Sequence, residues 1–253
     1  MKNIFLFLIV NTFLFNQLLS QEDYARIKVT DDIEIIKISD HAYVHITYIQ
    51  SPQYGRSGSN GFILTDNGKA LLFDTPMTED LTRDLITWIR DSLKAEITGF
   101  VPNHWHNDCM GGLEYLHCIG IESYAFDLTR EIAKSENLPI PGHGFTDSLI
   151  LQLDHLEAVC KYHGPAHSMD NIVVWVPSEK ILFGGCMVRA LGTQGLGNTA
   201  DGDIREYSNT IRKIMEEYDD ARIVIPGHGQ FGGMELVKHT FELAIAANSM
   251  IQE

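Results

Sequence analysis

The feature that most constrains the fold of this chain is a twofold repetition, in which short apolar segments of strand length are followed by segments of helical spacing. Residues 25–74 show alternation and β-branched runs, which predict antiparallel strands, and residues 77–95 show the spacing of an amphipathic helix. Strand patterns return at residues 149–184, and helical patterns follow at residues 207–218 and from residue 234 onward. Two sheets stacked face to face with helices outside bury all of these apolar faces. The sequence therefore predicts an α/β fold in four layers, an αβ/βα sandwich of two mixed sheets.

Length and composition favour one domain without a nucleic-acid partner. The 253 residues are 44% hydrophobic, which is enough for one sizeable core, and no linker divides them. The 19 Lys and Arg against 34 Asp and Glu give a net charge of -15, which argues against binding to nucleic acid because phosphate contacts need clustered cations. The four cysteines show no CxxC spacing, so we expect no disulfide scaffold. Cys118 and Cys160 lie in apolar segments, which predicts core positions for both.

The first 20 residues have the pattern of a secretory signal peptide. Lys2 precedes an apolar stretch, and Ser20 is followed by polar residues. A membrane anchor is the alternative, but a spanning helix needs about 20 consecutive apolar residues, and this stretch is broken by Asn11 and Thr12. We therefore expect cleavage near Ser20. The product would be a periplasmic protein without stable membrane insertion, folded as a single domain over residues 21–253.

Three potential metal ligands lie within five residues, directly after an apolar strand pattern that ends at residue 102. They are His104, His106 and Asp108. A loop that leaves a strand can direct both imidazoles at one ion, while the carboxylate reaches a neighbouring position. An isolated histidine is more often a hydrogen-bonded surface or core residue than a ligand. The joint placement of three donors favours a metal site.

Three further donors follow later strand patterns. His167, Cys186 and His228 each come shortly after an apolar run. Loops at the ends of adjacent strands can converge, so that three histidines could hold one zinc ion while Asp108, Cys186 and His228 hold a second. Spacing alone leaves ordinary core or surface roles open for these three later residues.

The full donor set, together with the segments around it, resembles the class B metallo-β-lactamases. The match is to the subclass whose first zinc has three His ligands and whose second has Asp, Cys and His. HxHxD alone would indicate only the wider metallo-hydrolase superfamily, whereas Cys186 in a GGC segment and the downstream Asn198 are more specific. The segments that carry the resemblance are FDTP (73–76), NHWHNDCMGG (103–112), HGFTDS (143–148), HGPAHSMDNIVVW (163–175), ILFGGCM (181–187), GN (197–198) and IPGHGQFGG (225–233).

The resemblance implies the metallo-β-lactamase fold and an enzyme that hydrolyses the amide bond of penicillins, cephalosporins and carbapenems, giving antibiotic resistance. It implies two zinc ions per chain and attack by a hydroxide that bridges them, because two ions can lower the pKa of a shared water from 15.7 toward 7. Asp108 would orient this hydroxide. Arg189 would bind the substrate carboxylate, in a position where relatives often have Lys, and Asn198 would assist at the lactam carbonyl.

The resemblance also distinguishes between two copies of the tetrapeptide PGHG. His228 in the second copy matches the final zinc ligand of the family, whereas His143 in the first copy matches a structural segment. We therefore assign His228 to the metal and leave His143 out.

Three residues are expected to support the site rather than bind metal. Asp74 resembles a buried carboxylate beneath the HxHxD loop, with a helix cap as its alternative role. Cys109 stands where glyoxalase-type and ribonuclease-type hydrolases carry a histidine ligand, which disfavours those reactions, and we assign it to the surroundings of the ligands. Residues 51–60, rich in Gly and Ser, correspond to a mobile flap on which Tyr54 would contact substrate, with a simple exposed turn as the alternative.

Two other functions stay open at this point. The same fold and metals could serve a different hydrolysis, of a thioester or a phosphodiester. Alternatively, the chain could be an exported zinc-binding scaffold without catalytic activity. Arg189 and Asn198 argue against the scaffold, and we expect a monomeric enzyme.

Overall fold

The computed structural model describes residues 24–52 and 55–251, and within these ranges the first sheet has six strands in sequential order. Neighbouring strands are antiparallel except for the last pair, β5 and β6, which is parallel. The strands are β1 (Arg26–Lys28), β2 (Ile33–Lys37), β3 (Ala42–Ser51), β4 (Gly55–Asp66), β5 (Lys69–Phe73) and β6 (Glu96–Val101).

The second sheet has five strands in the same described ranges, in the order β13-β12-β11-β10-β9. Its strands are also antiparallel apart from one terminal parallel pair, β12 and β13. A small parallel pair, β7 (Tyr124–Phe126) and β8 (His143–Phe145), lies between the two sheets in sequence. The strands of the second sheet are β9 (Ser148–Leu153), β10 (Leu156–Tyr162), β11 (Ile172–Val176), β12 (Ile181–Gly185) and β13 (Ile223–Pro226).

The helices follow the strands in two groups. α1 (Glu79–Trp88) begins at Thr78, whose side chain accepts a hydrogen bond from the Leu81 amide at 3.3 Å, and continues as a π-helical turn over Ile89–Leu93. The others are α2 (Asn107–Met110), α3 (Leu113–Cys118), α4 (Asp127–Ser135), α5 (Ile204–Glu217) and α6 (Glu235–Ile251).

The apolar residues form three clusters that correspond to the interfaces between four layers. In β2, Ile33 and Ile35 belong to the cluster that includes residues of α1 and α3, whereas Ile36 on the opposite face belongs to the cluster that includes residues of the second sheet, such as Phe183. A third cluster joins the outer face of the second sheet to α5 and α6. Because each sheet is covered on both faces, inner strands such as β5 and β12 are apolar on both faces. The predicted four-layer sandwich is confirmed.

Some local predictions were wrong. Most of residues 51–60 belongs to the β3–β4 hairpin rather than to a loop, because Thr47 pairs with Ser59 and Ser51 with Gly55. Cys118 is exposed at the end of α3, although Cys160 is buried as expected. The predicted signal peptide and Tyr54 lie outside the described residues.

The described part of the chain contains no helix that is both long enough and apolar enough to cross a lipid bilayer.

Candidate metal centre

The six predicted ligands lie just beyond the ends of four strands. His104 and His106 occupy bends that follow β6, and Asp108 lies in the four-residue helix α2. The sequence pattern predicts a loop at Asp108, so this local prediction was wrong. Three more donors belong to the second sheet: His167 follows β10, Cys186 follows β12 and His228 follows β13. The face-to-face packing of the sheets therefore brings together donors that are more than a hundred residues apart in sequence.

His104, His106 and His167 form one cluster. Each offers a ring nitrogen, and these atoms all lie within 4.8 Å of one another. The Nε2 atom of His104 is 2.8 Å from Nδ1 of His106, and the ring of His167 is perpendicular to both other rings. The buried Nδ1 of His167 has no hydrogen-bond partner among the described residues. Three imidazoles therefore converge on one point.

Asp108, Cys186 and His228 form the second cluster, which lies next to the first. One carboxylate oxygen of Asp108, Oδ2, is 3.1 Å from Nε2 of His228 and 3.4 Å from Sγ of Cys186. The Sγ and Nε2 atoms of these last two residues are themselves 3.4 Å apart. The other oxygen, Oδ1, is 4.0 Å from Nε2 of His104, so that Asp108 lies between the two clusters.

Cys109 is a possible alternative donor, since its sulfur groups with those of His104, Asp108 and Cys186. Its sulfur lies 3.1 Å from Nδ1 of His104, on the side of the ring opposite to the cluster, and 4.0 Å from Asp108. Burial is the main cause that raises the pKa of the Cys109 thiol. The geometry therefore favours His228 over Cys109 as the third donor of the second cluster.

Two ring nitrogens that face away from the clusters, one on His106 and one on His228, have partners of their own. His106 donates from Nε2 to the carboxylate of Asp201 at 3.0 Å, and His228 donates from Nδ1 to the carbonyl of Gly58 at 2.9 Å. In the neutral rings these bonds would leave Nδ1 of His106 and Nε2 of His228, the atoms that point into the clusters, free to bind metal. Without a metal ion, interaction with Cys186 is the main cause that raises the pKa of His228 well above its usual value, so that Nε2 carries the proton that it donates to Asp108. The sequence reasoning missed Asp201, because a single acidic residue ahead of α5 carries no pattern.

The bend that carries His104 and His106 is stabilised by Asp74. Its Oδ1 accepts a hydrogen bond of 2.5 Å from the amide of Asn103, and Thr78 rather than Asp74 caps α1. The Asn103 side chain donates to the Ile172 carbonyl and packs against Gly185, where no side chain would fit. Gly185 has a φ of 56°, which glycine adopts without cost, so that the chain turns directly ahead of Cys186.

The electrostatics of the site favour a bound cation. Burial opposes ionisation of Asp108, but hydrogen bonding from His228 and the charges of His104 and His228 outweigh it and hold the pKa of Asp108 well below its usual range. The hydrogen bond with Cys109 is the main cause that lowers the pKa of Cys186. A largely buried carboxylate in contact with a buried cysteine whose pKa is lowered favours positive charge nearby.

Burial also favours the neutral form of His104 and His167 on the three-histidine side. It lowers the pKa of His167 to about 4, with the charges of His106 and Arg189 acting in the same direction, and it lowers the pKa of His104 well below its usual value. Neutral imidazole, thiolate and carboxylate are the protonation states that bind metal, and ligand atoms of one tetrahedral zinc lie about 3.5 Å from one another. The residues present therefore fit two adjacent zinc ions.

The side chains of the predicted substrate-binding residues, Arg189 and Asn198, make few of the described hydrogen bonds. Arg189 is anchored by its amide, which donates to Thr240 Oγ1 at 2.8 Å, while its guanidinium packs against Gly197 and its buried Nε has no partner among the described residues. Asn198 is exposed, and its side chain accepts a hydrogen bond from the amide of Ala200 at 3.2 Å. No described contact joins Asn198 to the six donors.

Comparison with known proteins agrees with the geometry. No protein-family model matches the chain. The metallo-β-lactamase type 2 of Bacteroides fragilis is 45% identical over 217 residues, which are 86% of this chain and 87% of that protein. The metallo-β-lactamase type 2 of Pseudomonas aeruginosa is 33% identical over 215 residues, 85% of each chain.

Solved structures agree as well. The crystal structure of VMB-1 superposes with a TM-score of 0.83 at 36% identity, covering 86% of this chain and 99% of VMB-1. A metallo-β-lactamase from Pontibacter korlensis gives a TM-score of 0.81 at 33% identity over 84% and 99% of the two chains. The fold, the two donor clusters and these relatives together place the chain in the class B metallo-β-lactamases, a family of hydrolases that act on β-lactams.

Proposed function

We propose that this chain is a two-zinc β-lactamase that opens the lactam ring of penicillins, cephalosporins and carbapenems. The single observation that carries this proposal is the convergence of the six donors, with Asp108 shared between a three-histidine cluster and a cysteine-containing one. His104, His106 and His167 would hold one zinc, and Asp108, Cys186 and His228 would hold the other. The two ions, when bound, supply Lewis acidity toward the carbonyl and lower the pKa of a shared water toward neutrality.

The chain itself supplies orientation and charge. Hydrolysis joins the oxygen of one water to the lactam carbonyl carbon and breaks the C–N bond, and the nitrogen takes up a proton. Asp108 is ionised and lies between the two clusters, so that it can accept a hydrogen bond from the attacking water and fix its direction.

Arg189 and Asn198 act on the substrate side. The guanidinium of Arg189 is close enough to His167 for its positive charge to affect the pKa of that histidine, which suits the recognition of a carboxylate beside the fused ring. The side-chain amide of Asn198 is exposed, so that its Nδ2 group can donate to a lactam carbonyl while Oδ1 keeps the hydrogen bond from Ala200. Cys109 and Asp74 hold the bend that carries the first histidines.

Purified enzyme with known zinc content provides the test. We expect hydrolysis of a penicillin and a carbapenem that is abolished by a chelator and restored by zinc, with about two zinc ions per chain. Cys186→Ser should reduce the zinc content toward one and lower kcat/KM for both substrates. Chelator-resistant hydrolysis would contradict the proposal, and so would faster turnover of a thioester or phosphodiester than of any lactam. Two tightly bound zinc ions without lactam turnover would indicate a non-catalytic scaffold.

We further propose that residues 1–20 direct export to the periplasm and are removed, leaving residues 21–253 as one monomeric domain. The apolar pattern of residues 1–20 supports this proposal, as does the presence of all six donors on one chain. Mass spectrometry of the periplasmic fraction should find a chain that begins near residue 21, and light scattering should give the mass of a monomer.

A further inference from the structure

Strand β4 of the first sheet is bonded to the loop that carries His228, although the two are about 170 residues apart in sequence. The buried side chain of Asn60, which is 4% exposed, donates from Nδ2 to the carbonyls of Pro226 and Gly229, both at 2.8 Å. The backbone amide of Asn60 donates to the Gly227 carbonyl, also at 2.8 Å. Every one of these acceptors lies within two residues of His228.

The chemistry of this contact is specific to an uncharged amide. A primary amide has two N–H donors on one nitrogen, and here both are used by carbonyls on either side of His228. A carboxylate of the same shape would place negative charge against two carbonyl oxygens, and a hydroxyl has a single donor on a shorter side chain. Because Asn60 and Pro226 are both buried, the Pro226 carbonyl that loses this partner has little access to bulk water.

The same loop also touches the other donors of the second cluster. Gly227 packs against Cys186 so closely that no side chain would fit at position 227. His228 itself donates to the carbonyl of Gly58, two residues before Asn60 on the same strand. A shift of the loop relative to β4 would therefore move the His228 ring and disturb its approach to Cys186.

We infer that Asn60 is a positioning residue for the second metal site, the one formed by Asp108, Cys186 and His228. It sets the affinity of that site for its ion by holding the His228 loop in register with β4. This inference rests on the proposed function only in assuming that the chain takes up two ions.

The three-histidine site is independent of this contact. No described hydrogen bond of Asn60 reaches His104, His106 or His167, and the partners that orient the first two, Cys109 and Asp201, belong to other elements. Loss of Asn60 should therefore weaken one site and spare the other.

The test compares Asn60→Asp and Asn60→Ser with Ser59→Ala. Ser59 is the adjacent buried residue of β4, and its hydroxyl contacts Thr47 at 3.2 Å, so that its removal costs a buried hydrogen bond in the same strand without touching the His228 loop. Metal binding is measured by chelator competition with zinc, and by titration with cobalt(II), whose thiolate charge-transfer absorption reports Cys186 as a ligand. Circular dichroism of each metal-free protein verifies that it is folded.

We expect both Asn60 variants to bind the second ion about 10- to 100-fold more weakly than the parent, with the thiolate absorption appearing only at higher cobalt concentration. The first ion should bind as in the parent, and Ser59→Ala should match the parent at both sites. Asn60→Ser keeps a neutral side chain and supplies the same readout if Asn60→Asp does not fold.

Three results would overturn the inference: unchanged affinity at the second site in a folded Asn60 variant, equal weakening of both sites, or an effect of the same size in Ser59→Ala. A parent chain that binds two ions but opens no lactam would overturn the proposed function and leave the inference about Asn60 intact. A parent that takes up a single ion would overturn both.

Discussion

The imidazoles of the metal centre are oriented mainly by protein groups outside it. His104 has Cys109 at 3.1 Å, His106 donates to Asp201, and His228 donates to a backbone carbonyl. Each of these contacts uses one ring nitrogen and directs the other toward the ions. At the scale of single residues, metal affinity therefore depends on partners that never touch the metal.

Asp201→Ala tests this dependence at the three-histidine site. Without the carboxylate, the ring of His106 loses the bond that fixes its tautomer and orientation, and we expect the affinity of this site for zinc to fall about 10- to 100-fold. Chelator competition measures the change. Asp220→Ala, which removes an exposed carboxylate paired with Lys180, serves as the control and should bind zinc as the parent does. Parental affinity in Asp201→Ala would show that packing alone holds His106.

Arg189→Ala tests substrate recognition. A charge-assisted hydrogen bond contributes about 1.5–3 kcal/mol, which corresponds to roughly a 10- to 100-fold loss when it is removed. We expect this loss mainly as a higher KM for penicillins and carbapenems, with zinc content unchanged. Arg189→Lys keeps the charge but not the planar fork, and should retain most of kcat/KM. A kcat/KM for every lactam equal to that of the parent would remove Arg189 from the substrate site.

At the scale of elements, the sequence predicted the order and type of the longer strands and helices but not all of their limits. Helical spacing indicated α5 and α6, alternation indicated β2, and a β-branched and aromatic run indicated β3. The Gly and Ser content of residues 51–60 predicts a loop, yet Gly55 to Asn60 pair with Ser51 to Ile46 of β3. Strand formation there depends on a neighbouring strand rather than on intrinsic preference. The four-residue helix α2 is too short to show a period.

The start of α5 lies just after the loop that carries Asp201, and its cap is a separate target. The side chain of Asp203 accepts hydrogen bonds from the amides of Arg205 and Glu206 at 2.9 and 3.3 Å. Asp203→Ala should lower the free energy of unfolding by about 1 kcal/mol, as measured by urea denaturation. Asp203→Ser restores a capping oxygen and should recover most of the loss. Equal losses in both variants would indicate a role other than capping.

At the scale of the whole molecule, the metal centre could be predicted only in part. The HxHxD motif predicted the three ligands His104, His106 and Asp108 from local sequence. The resemblance to a family was needed to assign His167, Cys186 and His228 as ligands. The distances between them arise from sheet packing, which no local pattern encodes. Asp201 and Asn60 were not predicted for the same reason, since each acts on a ligand that is distant in sequence.

Two buried histidines outside the centre should make stability depend on pH. Burial lowers the pKa of His45 and of His163 to about 4, below the value near 6.5 of an exposed histidine. Between these pH values the unfolded chain binds protons that the folded chain does not, so the free energy of unfolding falls as pH decreases from about 6.5 to about 4. The shift of His45 corresponds to about 3 kcal/mol as an upper bound.

Urea denaturation of the metal-free protein across this window measures the dependence. His163→Gln keeps a polar group opposite the hydroxyl of Tyr218, which lies 3.0 Å from the histidine ring, and should make the decline in stability shallower. A variant whose stability declines as steeply as that of the parent would exclude His163 as a contributor.

The division of the six donors between the two sheets has a consequence for how the molecule comes apart. Three of them follow β6 of the first sheet, and three follow strands of the second, so each ion would be gripped by both halves of the sandwich. Bound zinc would then link the two sheets, and a higher concentration of free zinc would raise the free energy of unfolding. When free zinc is scarce, such an enzyme would therefore become more susceptible to proteolysis at the same time as it loses activity.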